Sequence, residues 1–149
     1  MEGFRRILLA TDLSGASTPA FRTAVRLAKK DRAELVILHV VPGPTPVGID
    51  GYVPPKMYEE MERSMRAFAE KKLERLVRRG VQERVRVRTF VSKGRAQDEI
   101  PAAARSKRCD LVVVGTHGRR GVARFFLGSV AAEVIATSPC PVLTVRPKK

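Results

Sequence analysis

The chain has no tryptophan, and its aromatic residues make up 5% of 149. That removes most of the ring platforms that nucleic-acid-binding modules carry. Cysteine is scarce too. Cys109 and Cys140 are the only two, far apart in sequence, and form neither a zinc motif nor a disulfide scaffold. They fit small buried or half-buried thiols, with a regulatory disulfide as the other reading. No stretch approaches the roughly 20 apolar residues of a membrane span. After Arg5 and Arg6, only Ile7 to Ala10 are apolar before Thr11 and Asp12, too short a run for a signal peptide. The expectation is a cytoplasmic protein of one domain, residues 1–149. Negative charge is the last shortage: 15 Asp and Glu stand against 29 Lys and Arg, a net charge of +14. Such a surface attracts polyanions. Yet the basic residues are spread along the chain, with no helix-turn-helix, zinc-finger or RNA-binding signature. Weak nucleic-acid contact is expected, not specific recognition.

What is present is an alternation of short apolar runs with helical patterns. Ile7 to Ala10 is continuous and apolar, as in a strand buried on both faces. Ser17 or Thr18 then offers an N-cap, with Pro19 in the first turn and Ala20, Phe21, Ala24, Val25, Leu27 and Ala28 at helical spacing. Leu35 to Val41 is a second buried strand. Pro42 to Pro55, with five prolines and three glycines, is a loop. Met57, Met61, Met65, Phe68, Leu73 and Leu76 mark the expected core face of a long helix ending near Gly80. Val85, Val87, Thr89 and Val91 alternate with Arg84, Arg86, Arg88 and Phe90, as in an edge strand guarded by arginine. Ala96 to Arg108 is a short helix with Pro101 in its first turn or kinking it. Leu111 to Val114 is a third buried strand, Ser129 to Thr137 a helix, and Pro141 to Val145 a last strand whose leading proline suggests an edge.

Strands alternating with helices imply an α/β fold: a doubly wound parallel sheet of five strands with helices on both faces. The three most apolar strands belong in the middle, giving the order 3-2-1-4-5 with right-handed crossovers. The topological switch then falls between strands 1 and 4, where ligands of such sheets bind at the carboxyl ends. Those ends are Thr11-Asp12 and Gly115 to Gly118.

The second of these ends carries the strongest motif. Val112 to Val114 runs into Gly115-Thr116-His117-Gly118, and Gly128-Ser129 follows at the start of a helix. Glycines let backbone N–H groups approach an anion, and a helix N-terminus adds unpaired donors. The spacing Gly-x2-Gly-x9-Gly-Ser is neither a P-loop nor the dinucleotide fingerprint.

With the opening Ile-Leu-Leu-Ala-Thr-Asp-Leu-Ser, the Leu-His-Val of strand 2, Leu127 to Ala131 and the closing Cys-Pro-Val-Leu-Thr-Val, the chain resembles the universal stress protein family over essentially its whole length. The resemblance implies the five-stranded fold, homodimers, and membership of the class that binds ATP, whose mark is the glycine spacing. It implies that Ala10, Thr11 and Asp12 line the adenine and ribose, and that the backbone at Val40 meets the adenine edge. Val114, Gly115, His117, Gly118 and Arg119 would wrap ribose and phosphates, and Gly128, Ser129 and Val130 would present N–H groups and a hydroxyl to phosphate. Ala131 departs from relatives that carry a hydroxyl there.

Each of these residues also has a plainer reading. Asp12 either meets a ligand or caps the turn into helix 1. Ser129 either contacts phosphate or is the N-cap of helix 4. His39 reads as a satisfied structural histidine, and Arg120 and Arg124 as solvated. Gly121 reads as a turn residue. No second acidic residue joins Asp12 as a metal pair, and no base faces a γ-phosphate, so the expectation is a binder with at most slow hydrolysis. Val142 to Val145 form an apolar edge without inward charge, which would pair with a second copy about a two-fold axis. The favoured reading is a homodimeric ATP binder acting with a divalent ion and read by an unknown protein partner. A slow ATPase or phosphotransferase, and a nucleotide-independent scaffold or weak nucleic-acid binder, are the alternatives.

Overall fold

The computed structural model describes residues 2–44, 51, 53–116 and 127–147. They build one five-stranded sheet in the order β3-β2-β1-β4-β5. The strands are β1 (Arg6–Ala10), β2 (Glu34–Val41), β3 (Arg86–Lys93), β4 (Leu111–Gly115) and β5 (Val142–Val145), and every pairing is parallel. The helices are α1 (Thr18–Asp31), α2 (Pro55–Gln82), α3 (Ala96–Ser106) and α4 (Ser129–Thr137). The expected order and both edges are observed.

Alternation along the strands divides the core in two. Ile7, Leu9, Leu35, Ile37, Leu111 and Val113 face one side, with Ala20, Phe21, Ala24 and Ala28 of α1 and Leu73 of α2. Leu8, Val36, Leu38, Val112 and Val114 face the other, with Ile100 and Ala104 of α3 and Ala131 and Val134 of α4. The three apolar runs are continuous because their strands are covered on both faces. The helices that follow β1 and β4 therefore lie on opposite faces, which opens a crevice between the carboxyl ends of those two strands.

The methionine stripe is not core. Met57, Met61, Met65 and Phe68 are 52%, 51%, 38% and 53% exposed. The cause is length: α2 has 28 residues, about 42 Å, whereas the longest strands have 8, about 26 Å. Its buried residues are Ala69, Leu73 and Gly80, all in the second half. The helix ends at Gln82, near Gly80 as expected, but Gly80 is not its stop. It lies inside α2, where a Cβ would collide with Cγ2 of Val87, so its role is close helix–strand approach. The chain turns instead at Arg84, with φ of 61°.

Three smaller expectations also change. Ser17 occupies the N-cap position of α1 as expected, but its side chain does not cap the helix: it also ends a 3-10 turn (Gly15–Ser17), and its hydroxyl donates to the carbonyl of Ser14 at 2.8 Å. Pro101 sits beyond the first turn of α3, buried, and the helix ends at Ser106. Gly128, not Ser129, occupies the N-cap position of α4. The thiols are as expected, Cys109 buried and Cys140 partly so. Burial pushes the Cys109 thiol up to about 11, and burial also raises Cys140. Among the described residues no helix is long and apolar enough to cross a membrane.

Candidate functional site

Polar groups accumulate where β1 stops. The N–H of Thr11 donates to the carbonyl of Leu38 at 3.0 Å, the last bond β1 sends to β2. The chain then turns through Leu13, whose φ is 63°. Hydroxyls hold this turn. Thr11 Oγ1 accepts the N–H of Leu13 at 3.0 Å and lies 2.9 Å from Ser17 Oγ. Asp12 Oδ1 accepts both the N–H of Ser14 at 2.9 Å and its hydroxyl at 2.6 Å. Asp12 thus caps the turn, but with one oxygen. Its Oδ2 is buried and has no partner among the described residues. A buried carboxylate oxygen left unpaired is costly, so Asp12 Oδ2 has room for one further donor.

Two more polar positions lie nearby. Leu38 faces β1, so Val40, two residues on, presents its N–H and carbonyl to the same side, past the end of β1. His39 faces the other way in the ladder, and its Nδ1 lies 2.9 Å from the carbonyl of Thr11, a structural contact as expected. Ser92, opposite Val40 in β3, has a buried Oγ without a partner among the described residues.

On the β4 side, Val114 pairs with Ala10, and Gly115 ends the strand opposite Val145. Thr116 is buried; its N–H donates to the carbonyl of Val145 at 3.0 Å, and its own carbonyl accepts the N–H of Gly128 at 2.8 Å. A Cβ on Gly128 would lie 2.9 Å from that carbonyl oxygen, which is why glycine stands there. The first bond of α4 runs from Ala132 N–H to Gly128 carbonyl, and no side chain caps the helix. The N–H groups of Ser129, Val130 and Ala131 therefore precede the ladder and offer donors at the positive end of the helix. The side chain of Ser129 is exposed, and Val130 is partly buried against the α3–α4 core.

The crevice thus gathers Ala10, Thr11, Asp12, Val40, Val114, Gly115, Gly128, Ser129 and Val130 around the switch. His117, Gly118 and Arg119 lie outside the described residues, as do Arg120, Gly121 and Arg124. Ser14 and Ser92 are additions to the expected set, and so are Ser17, expected only as an N-cap, and Thr116, expected only as part of the glycine loop. The spacing Asp12-x-Ser14 is a signature of a side-chain-closed turn and would have shown the first; the buried hydroxyl of Ser92 has no local signal. Among the described residues no group of three or more His, Cys, Asp or Glu is placed to hold a metal ion.

Comparison with known proteins follows the same line. The sequence model of the Universal stress protein family matches residues 3–146. Universal stress protein YxiE of Bacillus subtilis is 36% identical over 148 residues, covering 96% of this chain and 99% of its own. The structure of universal stress protein UspA from Lactobacillus plantarum superposes with a TM-score of 0.84 at 26% identity, covering 97% of this chain and 99% of that one. A universal stress protein crystallised in complex with cAMP shares the fold with a TM-score of 0.70 at 24% identity, over 98% of this chain and 99% of that one.

Proposed function

The chain belongs to the universal stress protein family, and we propose that it binds ATP in the crevice between β1 and β4. The observation that carries this reading is the set of unpartnered groups at one switch point. Asp12 Oδ2 is an acceptor suited to a ribose hydroxyl. The main chain at Val40 has the donor and acceptor that an adenine edge matches, and the buried hydroxyl of Ser92 lies next to it in register. The open N–H groups of Ser129 to Ala131 suit phosphate oxygens. Gly115, Gly118 and Gly128 would allow the main chain close to the phosphates, with Arg119 and His117 as further donors. The fold neighbour crystallised with cAMP supports an adenine nucleotide. The phosphate count rests on the glycine spacing.

A divalent ion would enter with the nucleotide, held chiefly by its phosphates. Asp12 would be the single carboxylate nearby, a donor set suited to binding more than to hydrolysis. The loop between Thr116 and Gly128 would then be the part of the surface that changes with the ligand and is met by a partner. Edge strand β5, hydrogen-bonded to β4 on one side, would pair with a second copy to form the homodimer. Calorimetry on nucleotide-stripped protein tests the site: ATP binding in the wild type and its loss in Gly118→Glu are expected. Absence of binding in the wild type would refute the proposal. Sedimentation of the wild type beside Thr144→Pro tests the pairing.

A further inference from the structure

A second concavity lies away from the crevice, on the α1 face of the sheet. It is a groove of about 810 Å³ between α1, the C-terminal end of α2 and the segment after β5. Five of its lining side chains are basic: Arg22, Arg26 and Lys29 of α1, Arg79 of α2, and Arg146. Its one acidic lining residue, Glu83, is already taken by Lys29 at 3.0 Å. Among the described residues Arg22, Arg26 and Arg146 pair with no carboxylate, and Arg79 rests over the Phe21 ring at 5.5 Å. Four guanidiniums without a counter-charge therefore face one open channel, on a chain of net charge +14. An anion seated there would meet several unpaired positive charges at once.

The arrangement also selects the anion. Arg22, Arg26 and Lys29 stand at i, i+4 and i+7, one stripe of α1 about 10 Å long. Adjacent phosphates of a duplex strand lie about 7 Å apart, about 3.4 Å of it along the axis, so the stripe spans about two of them. Guanidinium forks match phosphate oxygens two at a time. The apolar floor offers no anchor pocket for a peptide, since Phe21 and Val25 are only 5% and 6% exposed. It offers no stacking ring for an unpaired base either. A concave channel receives a phosphate ridge but cannot enter a groove to reach base edges.

We propose that this groove seats the sugar-phosphate backbone of a nucleic-acid duplex, independently of sequence and of the nucleotide crevice. Val145, Arg146 and Pro147, at the end of β5, form one wall of it, so edge pairing through β5 would bring a second copy beside that wall.

The test is fluorescence anisotropy with labelled DNA duplexes of about 20 base pairs and two unrelated sequences, with salt raised from about 50 to about 200 mM. Wild type is expected to bind both sequences alike and to weaken steeply with salt. Arg22→Gln with Arg26→Gln should weaken binding at least about tenfold and reduce the slope of log K against log salt by about two. Arg63→Gln with Arg75→Gln removes the same charge from α2 outside the groove and should change binding less than about threefold. Both arginines of the test pair are exposed, so the unfolding midpoint should not move. Gly118→Glu should bind the duplex like the wild type, which separates this proposal from the ATP site. Equal losses in the two pairs would overturn it in favour of diffuse charge. So would binding of poly-glutamate, lost in the first pair, by a protein that does not bind the duplex; the groove would then be an acidic-protein site.

Discussion

The N–H of Gly128 donates to the carbonyl of Thr116 at 2.8 Å, and this bond ties the end of β4 to the start of α4. Twelve positions of sequence separate the two residues, yet their main chains touch. The same contact aims the first N–H groups of α4 toward the crevice side of β4, because Gly128 is both the closing donor and the N-cap position.

Gly128→Ala places a methyl group 2.9 Å from the Thr116 oxygen, closer than real contacts allow. Either the bond stretches or α4 shifts. The expected cost is about 1–3 kcal/mol of stability, with ATP binding weakened at least about tenfold. Urea unfolding and calorimetry check the two effects separately.

Asp12→Asn keeps an oxygen for Ser14 and replaces the unpaired Oδ2 with an amide donor. A hydrogen bond to a charged group contributes about 1.5–3 kcal/mol, so ATP affinity should fall about tenfold or more. The nucleotide-free protein should unfold at about the same temperature, because one unpaired buried polar atom replaces another. An unchanged ATP affinity would take Asp12 out of the site and leave it as a turn cap.

Gly80→Ala improves helix propensity by up to about 1 kcal/mol but drives a methyl into Val87. Overpacking should win, for a net loss of about 1–2 kcal/mol. Combining it with Val87→Ala should cost less than the sum of the two single changes. ATP binding should be the same in all of these variants.

Cys109 has its thiol raised to about 11 by burial, against an ordinary value of 9.0. The folded state thus holds the proton more tightly than the unfolded chain. Its contribution to stability is complete below pH 9 and is lost as pH rises toward 11. Urea midpoints should fall more steeply over that range in the wild type than in Cys109→Ala. Alkylation of Cys109 in the native protein at pH 8 should be far slower than in the denatured chain.

Much of the fold was legible because burial on both faces writes itself as continuous apolar runs. Ile7 to Ala10, Leu35 to Val41 and Leu111 to Val114 are the three central strands, and the arginine alternation of β3 and the proline before β5 mark the edges. What was hidden depends on distance between elements. Helical spacing shows that Met57, Met61, Met65 and Phe68 share a face, but not that this half of α2 carries no buried residue. Gly80 has the composition of a stop signal, yet its partner is Val87. The chain instead leaves α1, α2 and α3 through Arg32, Arg84 and Arg108 in left-handed conformation, a place where glycine is usual. In the crevice, the glycine spacing located the start of α4. The spare oxygen of Asp12 and the hydroxyl of Ser92 emerge only when burial and partners are known.

The most direct test of the nucleotide crevice is hydrogen–deuterium exchange with and without ATP and a divalent ion. Slower exchange is expected in peptides spanning Ala10 to Leu13, His39 to Val41 and Leu127 to Ala132, with Arg22 to Lys29 unchanged. Protection confined to Arg22 to Lys29 and the residues around Arg146, with none at the three crevice segments, would contradict it and place the nucleotide's phosphates in the arginine groove.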